Sequence, residues 1–115
     1  YESNQFKVIY RLHSMEKLLE KKPYRSCLGL PFFAHITAEG DVFPCNFFVG
    51  NRKFVLGNIY KNSFTEIWKS QKRRRIVKYI EDFWDVEKCR KTCRLDEINR
   101  YLWKLRNPPL HVNFI

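Results

Sequence analysis

Four cysteines, Cys27, Cys45, Cys89 and Cys93, constrain what this 115-residue chain can fold into more than any other feature. Seventeen residues separate the first two and three separate the last two. Cys89 and Cys93 stand in the stretch EKCRKTCR, among charges, a setting at odds with inert thiols packed as small hydrophobes. Disulfides belong to oxidising compartments, and the opening residues, with Glu2, Asn4, Gln5 and Lys7, do not form a signal peptide. Ligation of a metal or cluster is the remaining role. On a helical turn Cys89 and Cys93 would share one face. A hairpin before Cys45 would fold the chain back towards Cys27. Arg90, Lys91, Arg94 and Arg25 are cations that favour the thiolate form. Four thiolates suit one structural zinc or one iron–sulfur cluster, and the spacing alone leaves the metal open.

The rest of the chain reads as one α+β domain: a β-hairpin and short strands first, helices after, built around the four-cysteine site. The alternation in FKVIYRL predicts a half-buried strand over 6–12. Ser14 is the expected cap of a short helix through Leu18 and Leu19 that ends near Lys22-Pro23. PFFAHIT, a two-residue turn at Glu39-Gly40 and the returning DVF predict a hairpin, and NRKFVLGNI another short extended piece. Ser63 and Glu66 have capping-box spacing ahead of a helical stripe of Phe64, Ile67, Trp68, Ile76, Val77 and Ile80. A further helix is expected from about Cys93 to Leu105, with Leu95, Ile98, Leu102 and Leu105 on its buried face. Residues 111–115 read as an extended tail. Trp68, Trp84 and Trp103 are expected in the core, and His13, His35 and His111 have no ligand spacing.

The formal net charge of +10 favours acidic partners. The run KRRR at 72–75 fans around a helix, so a solvated or docking face is expected there in preference to nucleic acid. No apolar run approaches the roughly 20 residues of a membrane span. The chain starts at Tyr1, not Met, and reads as a piece of something longer, with NPPLHVNFI as a natural C-terminus.

The pattern Cys27, twelve residues, Gly40, four residues, Cys45 resembles the opening of the SPASM/twitch auxiliary-cluster domains of radical S-adenosylmethionine (radical SAM) enzymes. ITAEGDVFPC is similar to their hairpin, LGNIYKNSFTEIWKS to their connecting segment and CRKTCR to their closing cysteine pair. The resemblance covers roughly residues 24 to 103. It implies a domain of residues 24–115, with residues 1–23 as a strand and short helix leading from an upstream radical SAM barrel of the same chain.

A full SPASM domain carries seven cysteines, and this chain has four. The resemblance therefore implies one auxiliary 4Fe–4S cluster held by Cys27, Cys45, Cys89 and Cys93, of the smaller twitch type. It would be used for electron transfer and for shaping the substrate site. The catalytic Cys-x3-Cys-x2-Cys triplet is absent, since position 96 is Asp96. S-adenosylmethionine and a second 4Fe–4S cluster are thus expected only in the upstream domain, and this piece should not be active alone. The expected setting is a cytoplasmic oxidoreductase acting on an anionic small molecule or a peptide, with no membrane. The alternative is a structural four-cysteine zinc module with a basic nucleic-acid-binding surface. Arg90, Lys91 and Arg94 would stabilise the reduced cluster, and Asn46 and Ser26 are polar neighbours able to donate to its sulfurs.

Overall fold

The turn at Gly40 sets the sheet. In the computed structural model, which describes residues 2–9 and 12–110, β1 (His35–Ile36) runs antiparallel to β2 (Asp41–Phe43). The Gly40 N–H donates to the Thr37 carbonyl at 2.9 Å, and the Thr37 N–H donates to the Asp41 carbonyl at 3.0 Å. The loop is thus a turn on Ala38-Glu39 followed by Gly40 at φ 79°, one residue longer than the expected two-residue loop. A turn of this hand needs a residue at positive φ to rejoin the ladder, and glycine adopts it without a Cβ penalty.

β2 also pairs with β3 (Gly57–Asn58), giving a three-stranded antiparallel sheet in the order β1-β2-β3. Gly57 sits opposite Val42, where a Cβ would come within 2.8 Å of the Ile67 side chain. A Cβ on Gly40 would meet the Tyr60 ring at 2.6 Å, whereas one on Gly50, also at positive φ (86°), would meet nothing within 4 Å. Gly50→Ala should therefore lose only the left-handed backbone preference, about 1–2 kcal/mol. Gly40→Ala should lose that and displace Tyr60 as well. Urea midpoints check this, and equal losses at the two sites would contradict the Tyr60 contact.

The helices follow from their caps. Ser63 accepts from the Glu66 N–H, and the Glu66 carboxylate accepts from the Ser63 N–H, so the expected capping box opens α2 (Phe64–Lys69). Ser70 closes α2 and, through its hydroxyl on the Arg73 N–H, opens α3 (Gln71–Phe83). The stripe that reads as one interrupted helix is therefore two helices joined at one residue. α1 (Leu12–Leu19) and α4 (Asp96–Arg106) complete the described helices, and the architecture is α+β as expected. Leu30, Phe43, Phe48, Ile80 and Leu95 form the main core, and Val42, Leu56 and Ile67 form a second cluster under the sheet. Each such side chain, fully buried, contributes about 1.5–3 kcal/mol.

Several expectations change. The segment at 6–12 is not a strand where it is described: Phe6 makes only an isolated bridge to Ser3, and Ile9 is 87% exposed. Residues 10 and 11 lie outside the described residues. Alternation becomes a strand only beside a partner strand, and the three-stranded sheet does not extend to this segment. Leu12 already lies in α1, so Ser14 falls inside the helix and not at its start, and the helix ends at Leu19. Leu30–Phe32 and Arg52–Phe54 are single 3₁₀ turns, leaving only short strands beside them. α4 starts at Asp96, and its buried face runs through Leu95, Asp96 and Asn99, while Leu105 is 61% exposed. The extended tail at 111–115 lies outside the described residues.

Candidate metal centre

The four cysteines come from loops braced by short structure. Cys27 precedes the 3₁₀ turn at Leu30–Phe32, whose Leu30 is fully buried. Cys45 follows the buried Pro44, with φ −163° and ψ 171°, and opens the turn Asn46–Phe48. Proline fixes its own φ and stiffens that approach. Cys89 closes the turn Val86–Lys88, and the Cys93 carbonyl accepts from the Asp96 N–H at the start of α4. Cys89 and Cys93 are therefore not on one helical turn: Cys89 is extended at ψ 157°. The two lie instead in a loop folded between a 3₁₀ turn and a helix.

All four thiols are free and half-buried, and all four line one cavity of about 210 Å³. Its apolar wall is Leu30, Phe48, Ile80 and Trp84, and Arg90 and Arg94 stand at its exposed side. Among the described residues no three His, Cys, Asp or Glu side chains converge as a single metal ion requires. A zinc ion would gather its sulfurs to about 2.3 Å from one point. Thiols standing around a hollow of this size fit a many-atom centre better than a lone ion.

Burial dominates the electrostatics of the thiols. It pushes Cys27 up against the opposing donation of Asn99, and it pushes Cys45 up to about 11 against the N–H groups of Phe47 and Phe48. Cys89 is raised by burial too, with the Trp84 indole as the largest opposing influence. The expected activation by nearby cations is thus outweighed for these three, because desolvation penalises the charged sulfur. Binding at such thiols must release protons, so loading should strengthen as pH rises.

The cations sort differently from the sequence expectation. Lys91 pairs with Glu87 at 3.2 Å and donates to the Glu20 carbonyl, so only Arg90 and Arg94 of the trio line the cavity. Arg25 does not line it. Lys22, which sequence reasoning passed over, donates to the Val86 carbonyl at 2.7 Å and to the Cys89 carbonyl at 3.1 Å. Asn46 lines the cavity, but its Oδ1 shares a 2.9 Å hydrogen bond with His35 Nδ1, and Ser26 is not a lining residue. The side chains of His13 and His111 lie outside the described residues. Trp68, expected in the core, is half-buried: Phe64 stacks on it, and the Arg73 guanidinium lies 3.6 Å from its ring centroid.

A buried polar network behind Cys27 was not read from the sequence at all. Asp96 and Asn99, both 1% exposed, point inward from the first turn of α4. Asp96 accepts from the Tyr24 hydroxyl at 2.9 Å and from Arg100 Nε at 2.8 Å, and pairs with Lys17 Nζ at 3.0 Å. Lys17 also pairs with Glu97. Burial alone would raise the Asp96 carboxyl, but donation from Arg100, Lys17 and Tyr24 outweighs it and holds the group below its ordinary value. Asn99 accepts from the Gly29 N–H at 2.8 Å and turns its NH₂ to Cys27 Sγ at 3.5 Å. A legible signal was Asp96 and Asn99 three apart beside Leu95, two polar residues on the buried stripe of a helix.

A family model described as SPASM, iron–sulfur cluster-binding domain, matches residues 27–94, from the first cysteine to the residue after the last. No curated protein and no solved structure matches the chain. With a match over more than half its length and four cysteines around one cavity, the chain belongs to the SPASM family of iron–sulfur cluster-binding domains.

Proposed function

We propose that Cys27, Cys45, Cys89 and Cys93 hold one 4Fe–4S cluster, and that the domain serves as the auxiliary-cluster part of a radical SAM enzyme. The observation that carries this reading is that all four cysteines line one cavity. When bound, such a cluster supplies one-electron transfer, with all four irons held by the protein. The residues of the chain contribute the rest. Leu30, Phe48, Ile80 and Trp84 keep water from the inner side, and Arg90 and Arg94 offer positive charge at the outer side. Those arginines would attract an anionic substrate or the acidic face of a partner domain.

The catalytic triplet is absent from this sequence, so the radical-generating step belongs to a separate barrel domain, the partner this reading requires. Free thiols suit a reducing, cytoplasmic setting. No described helix is long and apolar enough to cross a membrane.

Anaerobic reconstitution with iron and sulfide should give a brown protein absorbing near 400 nm, with about four irons and four sulfides per chain. Loading should improve as pH is raised from about 6 to about 9, because thiols held above the usual value of about 8.5 must lose protons. Stoichiometric zinc uptake with no uptake of iron would replace this reading with a structural zinc module.

A further inference from the structure

The Trp84 indole N–H is buried at the cavity wall yet has no hydrogen-bond partner. A buried unsatisfied donor costs about 1–3 kcal/mol, so its persistence calls for a reason. Its ring is clamped by edge contacts to Phe47 and Phe48, with centroids 5.5 Å and 4.9 Å away, and the direction of the N–H is set by that packing. Cys89 lines the same cavity as that N–H. The Trp84 N–H approaches Cys89 without reaching hydrogen-bonding geometry, so its donor is left over on the side that the cysteines line.

The other thiols are served differently. Cys93 Sγ accepts from the Leu95 N–H at 3.4 Å, and backbone N–H groups of Phe47 and Phe48 favour the anion of Cys45. Across the cavity, Asn99 presents its NH₂ to Cys27 Sγ at 3.5 Å. The orientation of that amide is not arbitrary, since the Gly29 N–H must face oxygen and so turns nitrogen towards sulfur.

We infer that Trp84 and Asn99 are positioning residues for the bound cluster, donating their buried N–H groups to the sulfurs of Cys89 and Cys27. The inference rests on the cluster reading above. A thiolate-ligated cluster gains negative charge on reduction, and N–H donors aimed at its sulfurs stabilise the reduced form more than the oxidised one. The orphaned indole donor thereby acquires a partner on loading, and the donors raise the reduction potential. An indole that only filled space would leave the potential where it is.

The test is the reduction potential of the reconstituted chain, wild type against Trp84→Phe. Phenylalanine keeps an aromatic ring against Phe47 and Phe48, though a smaller one, and removes the indole donor that has no partner in the protein. Trp84→Phe should load iron and sulfide like wild type and show a lower potential, by about a tenfold change in the reduction equilibrium, or ~59 mV for a one-electron couple. Normal loading with an unchanged potential would overturn the inference and leave the cluster reading intact. A wild-type chain that takes up no cluster would remove both.

Should Trp84→Phe fail to fold, wild type decides alone. The chain has three tryptophans, so an indole-¹⁵N-labelled sample gives three N–H resonances, assigned by Trp68→Phe and Trp103→Phe. The Trp84 resonance should shift far more than the other two when the cluster is loaded, and three unmoved resonances would refute its role. Asn99→Asp keeps the acceptor for Gly29 and loses the donor, and it too should load with a lowered potential.

Discussion

Cys45→Ala should leave the chain folded and unable to keep its iron. Cys45 packs only at the margin of the main core, and a change to alanine removes one sulfur while leaving Phe43 and Phe48 in place. Structural zinc in zinc-finger peptides binds with about 10–16 kcal/mol, and on that scale one thiolate ligand in four carries on the order of 3 kcal/mol. That is more than about a hundredfold in retention against a chelator. Iron and sulfide content after desalting, with circular dichroism as the control for folding, checks the expectation. Cys27→Ala, Cys89→Ala and Cys93→Ala should behave alike, because all four thiols face the same cavity. A variant that keeps the full four irons would show that its cysteine is not a ligand.

The second large effect belongs to Asp96 and concerns folding, with or without a metal. Asp96→Ala would leave the buried Tyr24 hydroxyl without its acceptor and deprive Lys17 and Arg100 of their shared anion. Removing one member of a buried ion pair costs about 3–5 kcal/mol, a large part of the roughly 5–15 kcal/mol that holds a small domain together.

The pH dependence has a definite sign. The folded Asp96 carboxyl lies below its ordinary value, so its contribution is complete above the unfolded value of about 3.9 and is lost as pH falls through the folded value. Tyr24 is raised, by burial first and then by Asp96, so its contribution is complete below about 10 and is lost in stronger alkali. Resistance of wild type to urea should therefore weaken below about pH 4 and above about pH 10. The acid limb should flatten in Asp96→Asn, and parallel acid limbs in the two proteins would show that Asp96 does not carry it.

What was legible in the sequence was what short-range chemistry determines. Gly40 before Asp41 announced a hairpin, Ser63 with Glu66 announced a helix start, and the motifs around Cys27, Gly40, Cys45 and the closing cysteine pair carried the resemblance to the family. Two kinds of feature were not legible. Phe6, Val8, Tyr10 and Leu12 alternate like a strand, but whether they pair depends on a neighbour that no local pattern encodes. The network of Tyr24, Asp96 and Asn99 joins residues about seventy positions apart. Its members look individually like surface residues, and only the fold makes them interior. Trp84 is the intermediate case, expected in the core and found half-buried at the cavity wall, with its buried indole N–H unpartnered.

The single residue between α2 and α3 also bears on how this domain tolerates change in length. Ser70 is at once the last link of one helix and the first of the next, so no slack separates them. One inserted residue would turn a continuing helix by about 100° and advance it by about 1.5 Å. α3 leads directly to Trp84 and the loop bearing Cys89, so such a change would swing that wall of the cavity out of register with Cys27 and Cys45. By contrast, the turn at 59–62 lies on the surface between β3 and the capping box, where a residue added after Tyr60 is absorbed before Ser63 restarts the helical phase. The distance from Ser63 to Cys89 is thus a fixed interval in the design of the domain, and length variation belongs before it.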